Sequence, residues 1–138
     1  MYTRILVPVE HSSYDDAIIE HVRRLALFCK ASVVLIHVAD GWAARNVKQL
    51  NLRESEEMRS DREYLEARCA SLEASGIEAD CLLAGGDPSK EISDAAAREG
   101  CDLIAMASHG RRGVSAIVLG SETIKVLTHS NIPVLVYR

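Results

Sequence analysis

The glycines of this chain are unevenly distributed. Three of the eight, Gly110, Gly113 and Gly120, fall within eleven residues of "HGRRGVSAIVLGSETI", beside Arg111, Arg112 and the pair Gly120-Ser121. Glycine lets a backbone take positive φ and approach a ligand closely. A helix opening at Gly120-Ser121 offers free N–H groups and the positive end of its dipole, and the Ser121 hydroxyl can donate to a phosphate oxygen. That is the chemistry of an anion cradle. The competing reading is structural, with Gly110 and Gly113 as loop punctuation and Ser121 as a helix cap. Neither a P-loop, GxxxxGK followed by Ser or Thr, nor a GxGxxG dinucleotide fingerprint occurs.

Other residue types carry less. His11 and His109 belong to loops that an α/β topology brings together, where a shared metal or a proton transfer is conceivable. No carboxylate or cysteine stands at ligand spacing to them, and loop histidines that simply hydrogen-bond are commoner. His37 follows apolar residues and reads as a satisfied buried histidine; His21 and His129 read as helix-surface residues. No Ser/His/Asp arrangement or metal site emerges, so no catalytic or metal-binding residue is assigned. Cys29, Cys69, Cys81 and Cys101 show no CxxC and lie in or beside apolar segments, as reduced, buried thiols of a cytoplasmic protein would. Trp42 covers a base, a dimer contact or its own loop. The run "RESEEMRSDRE" reads as a solvated helix face.

The loops that carry these residues lie between regular elements. "RILVPV" (4–9) is a buried strand, and residues 14–30 place Ile18, Ile19, Val22, Leu25, Ala26 and Cys29 on one helical face, with Ser12 or Ser13 as cap. "SVVLIHV" (32–38) is a second strand, and a long polar helix spans about 53–74 with Met58, Leu65 and Leu72 inward. Strand 77–84 leads to Asp87 and Pro88, good helix-start residues, and Gly100 closes the helix that follows. Strand 102–107, helix 121–130 and strand 133–137 complete a βαβαβαβαβ order. That order predicts one α/β, doubly wound domain over residues 1–138, a parallel sheet with helices on both faces. Ligands of such sheets bind at the carboxyl ends of the strands, where the winding reverses. If the first strand is central, "VEHSS" and the glycine loop flank that crevice.

Composition narrows the partners. With 138 residues, 48% apolar and 26% charged, the chain can bury roughly two thirds of its unfolded surface. A net charge of −4 argues against a nucleic acid or a membrane as partner. Few aromatics leave no base-stacking platform. The start, "MYTRILVPVEHSS", lacks the basic and long apolar segments of a signal peptide, and no stretch reaches membrane-spanning length.

"SHGRRGVSAIVLGS", with "ILVPVEHSS", "LIHV" and "IPVLVY", resembles the universal stress protein family over essentially the whole chain. The resemblance implies a five-stranded Rossmann-like sheet of order 3-2-1-4-5 and a homodimer. It also implies membership of one of two branches, the ATP-binding one being marked by G-x2-G-x9-G-S/T. Gly110, nine residues and Gly120-Ser121 reproduce the longer part; the first glycine falls on Ala107, whose methyl lies where a phosphate would approach. Glu10 stands where the family usually has Asp. Carried over by position, the nucleotide-binding residues would be Pro8, Val9, Glu10, Ser12, Val38, Met106, Ala107, His109, Gly110, Arg111, Gly113, Gly120, Ser121 and Glu122, the last with its carboxylate turned from the phosphates. ATP, accompanied by Mg or Mn, would be the cofactor, and Pro133, Val134, Leu135, Val136 and Tyr137 the dimer interface. The expected function is that of a cytoplasmic, ATP-binding regulatory module of the stress response. The alternatives are a homodimeric interaction protein that binds no nucleotide and a slow ATP hydrolase.

Overall fold

A computed structural model describes residues 1–39, 56–108 and 120–138. The strands are β1 (Arg4–Pro8), β2 (Ser32–Ala39), β3 (Ala79–Gly85), β4 (Leu103–Ala107) and β5 (Val134–Tyr137). Between them run α1 (Asp15–Cys29), α2 (Glu56–Ala74), α3 (Pro88–Arg98) and α4 (Ser121–His129). The sheet is parallel, in the order β3-β2-β1-β4-β5, so β1 is central and the winding reverses between β1 and β4.

The strands read as continuous apolar runs because both of their faces are covered. Ile5, Val7, Val33, Leu35, Leu103 and Ala105 face one core with Ile18 and Val22 of α1 and Leu65 and Leu72 of α2. Leu6, Val34, Ile36, Ile104 and Met106 face the other, against Ile92, Ala95 and Ala96 of α3 and Val126 of α4. At the amino ends of the strands the Asp102 carboxylate accepts the N–H groups of Thr3 and Arg4. Burial pushes its pKa up, but these hydrogen bonds outweigh it and hold it below the ordinary value.

Helix starts divide the expectations. Asp87 caps α3 as expected, accepting from the Lys90 N–H, with Pro88 in the first turn. The expected serine cap of α1 is overturned. Tyr14 is the N-cap residue and makes no side-chain cap bond, while the Ser12 carbonyl accepts the Asp15 N–H at 3.1 Å. The cause is Asp15 itself, 2% exposed, whose carboxylate folds back to accept the N–H groups of Glu10, His11 and Ser12. The loop winds around a helix residue, His11 takes φ 64°, and neither serine reaches a capping position.

Candidate functional site

A cavity of about 150 Å³ opens at the carboxyl ends of β1, β2 and β4, at the reversal of winding. Pro8, Val9, Glu10, Val38, Met106, Ala107 and Glu122, all expected site residues, share its walls with Asp15, His37, Pro88 and Ile92. Four expected residues, His109, Gly110, Arg111 and Gly113, lie outside the described residues, as do Arg112 and Trp42. Ser12 is half-buried beside the cavity loop and does not line the cavity; its Oγ is buried with no hydrogen-bond partner among the described residues.

Gly120 is the N-cap residue of α4, with φ −60° and ψ 150°, and no side-chain bond caps the helix. These angles suit any residue. Among the described residues an added Cβ would meet only the Thr123 Oγ1, at 3.9 Å. Neither the backbone conformation nor the neighbouring atoms among the described residues therefore require glycine there. Ser121 is exposed at the first turn. Glu122 lines the cavity; its Oε1 lies 3.5 Å from Lys125 Nζ, and its Oε2 is buried with no hydrogen-bond partner among the described residues.

Behind the cavity lies a polar network that spacing did not suggest. Asp15 Oδ2 accepts the Tyr64 hydroxyl at 2.6 Å, and the Tyr64 ring stacks on His11 with centroids 4.2 Å apart. Burial, followed by the bond to Asp15, pushes the Tyr64 phenol well above its usual pKa, so it stays a donor. His11 Nδ1 pairs with Asp61 Oδ1 at 2.7 Å, and His37 Nε2 lies 3.3 Å from Asp61 Oδ2. His37 Nδ1 is 2.9 Å from the Val9 carbonyl, which only accepts, so that nitrogen carries a proton. His37 is a satisfied histidine, as expected, and His11 hydrogen-bonds. The readable signal was Asp61, a charge at helical spacing within the inward stripe of Met58, Leu65 and Leu72. Among the described residues no group of three or more His, Cys, Asp or Glu side chains is arranged to hold a metal.

The profile of the universal stress protein family matches residues 1–138. Universal stress protein MJ0577 of Methanocaldococcus jannaschii is 30% identical over 158 aligned positions, covering 100% of this chain and 96% of the relative. The solved structure of MJ0577 superposes with a TM-score of 0.85 at 32% identity, covering 99% of this chain and 96% of that one. Universal stress protein UspA from Lactobacillus plantarum gives 0.82 at 23% identity, over 99% and 98% of the two chains. A universal stress protein from Archaeoglobus fulgidus, solved in complex with dAMP, gives 0.73 at 20% identity, over 99% and 98%.

Proposed function

This chain belongs to the universal stress protein family, and we propose that it is an ATP-binding regulatory module that works in the cytoplasm as a homodimer. Gly120 carries the reading. Neither its backbone angles nor the described residues around it at the start of α4 call for glycine, whereas a phosphate approaching the first-turn N–H groups closely favours one. The cavity beside it, about 150 Å³, is smaller than the roughly 300–1,000 Å³ of a whole-ligand pocket. It therefore takes the base, with Pro8, Val9 and the Val38 main chain around the ring and Glu10 at the ribose. The phosphates lie at the rim, on Ala107, Gly110, Gly120 and Ser121.

Glu122 sets a condition on that arrangement. Two like charges about 4 Å apart repel by roughly 1–4 kcal/mol between bulk water and a protein surface, so a carboxylate beside phosphates disfavours the bare nucleotide. Its buried Oε2, without a hydrogen-bond partner among the described residues, fits a divalent cation, Mg or Mn, held jointly by Glu122 and the nucleotide; the ion would supply charge neutralisation.

The dimer rests on the sheet edge. Ile104 N–H donates to the Pro133 carbonyl and Ser108 N–H to the Tyr137 carbonyl, so the odd-numbered residues of β5 bond inward to β4. Alternation then turns the N–H groups of Val134 and Val136 outward, toward a second copy.

Calorimetric titration of ATP, with Mg and with a chelator, tests the site. Wild-type protein should bind more tightly with Mg. Glu122→Gln should lose that dependence and bind metal-free ATP better than wild type does. No heat from ligand-free wild type with millimolar ATP, ADP or AMP overturns the nucleotide reading and leaves the homodimeric interaction protein.

A further inference from the structure

Cys69 and Cys81 lie outside the nucleotide cavity. Cys69 sits on the buried stripe of α2 and is 5% exposed. Cys81 stands on β3, in register with Leu35, and packs half-buried against the same core that contains Cys69. Both line an open hollow of about 480 Å³ together with Glu66, Glu73 and Asp80. Because β3 is an edge strand, solvent reaches this hollow along the side of the sheet. Both thiols are free, Cys69 within that core and Cys81 packed against it.

We propose that Cys69 and Cys81 form a two-thiol redox site that closes to an intramolecular disulfide on meeting a small, uncharged two-electron oxidant such as hydrogen peroxide. Cys81 is the more accessible sulfur and reacts first. The peroxide oxidises it to a sulfenic acid and leaves as one water. The Cys69 sulfur then attacks that of Cys81; the S–O bond breaks, and the departing hydroxyl takes the Cys69 proton as a second water. Two thiols and one peroxide give one disulfide and two waters, with two electrons passing from sulfur to oxygen.

Cys69 does not lead this sequence. Burial, then the neighbouring Cys81 thiol and the charges of Glu73 and Asp80, pushes its pKa up to about 12, so it is protonated at neutral pH. The carboxylates of the hollow also repel anionic oxidants such as glutathione disulfide, which favours a neutral one. The new bond would tie α2, which carries Asp61 and Tyr64, to the edge of the sheet.

The test is intact-mass and peptide mapping of the folded, fully reduced chain after treatment with hydrogen peroxide. The expected product is lighter by two hydrogens, about 2 Da, contains a peptide joining Cys69 to Cys81, and reverts with dithiothreitol. Cys81→Ser and Cys69→Ala should abolish that loss, while Cys29→Ser and Cys101→Ser keep it. The mapping of wild type and the half-exposed Cys81→Ser decide the matter even if Cys69→Ala fails to fold. Oxygen adducts without the loss, a bond through Cys29 or Cys101, or a covalent dimer would each overturn the proposal.

Discussion

Replacing Gly120 with alanine distinguishes a glycine kept for the chain from one kept for a ligand. The backbone at φ −60° and ψ 150° accepts alanine without strain, and among the described residues the new methyl meets only the Thr123 Oγ1 at 3.9 Å. At an N-cap position alanine is poorer than glycine by about 0.5–1 kcal/mol. Against this, the substitution removes about 0.4–1 kcal/mol of unfolded-state entropy. The two nearly cancel, so the ligand-free protein should melt within a few degrees of wild type, at about 2–8 °C per kcal/mol for domains of this size range. For a bound nucleotide the balance is different. The methyl would stand between the phosphate and the first-turn N–H groups, and losing one charge-assisted hydrogen bond costs about 1.5–3 kcal/mol. That is roughly a 10- to 150-fold rise in Kd. Calorimetric titration with Mg-ATP and a thermal melt of the same ligand-free preparation measure the two terms separately. An unchanged Kd in a folded variant would refute the ligand role. A melt lowered by about 10 °C or more would show that the glycine serves the fold.

Three further outcomes follow from individual contacts. Val136→Pro removes an outward N–H at a sheet edge that tolerates proline, so light scattering should report monomer; a dimer that survives both Val134→Pro and Val136→Pro does not pair through β5. Asp102 has a depressed folded-state pKa, so its stabilisation is complete above the ordinary carboxylate value, about 3.9, and is lost as the pH falls through the lower folded value. Asp102→Asn should accordingly flatten the fall of Tm below about pH 4, and acid limbs of equal slope would contradict this. Asp15→Ala orphans three N–H groups and the Tyr64 hydroxyl. At about 1–3 kcal/mol for each donor left buried, urea denaturation should register a loss of at least about 3 kcal/mol, and a loss below 1 kcal/mol would mean that water replaces the carboxylate.

Most of the fold was legible because the strands repeat one pattern. A parallel strand covered on both faces must be apolar at successive positions, as "RILVPV" and "SVVLIHV" are, and the helices between them show the 3.6-residue stripe. Asp87-Pro88 was legible for a local reason, since a cap and the N–H that donates to it lie three residues apart. The start of α1 was not. Its conformation depends on Asp15, which meets Tyr64 across 49 residues, and on His11, which meets Asp61 across 50. Cap preferences weigh Ser12 and Ser13 against their own neighbours and carry no information about a helix that arrives from elsewhere.

The same division runs through the site. Pro8, Val38, Met106 and Ala107 end strands, so parallel topology alone delivers them to one crevice. Glu122 and the His11–Asp61–His37 group are different, because their roles depend on where charges end up after packing. Asp61 is 6% exposed, and a carboxylate so placed persists only with partners; two imidazoles supply them. His37 also bonds the Val9 carbonyl, and the Asp15 carboxylate holds the N–H groups of residues 10–12. The hydrogen bonds that shape the loop carrying Glu10 therefore lead to polar groups of α1, β2 and α2. A charge in an apolar helical stripe is thus a sequence signal for a shaped loop elsewhere, and both Asp15, in register with Ile18, Ile19 and Val22, and Asp61 carry it.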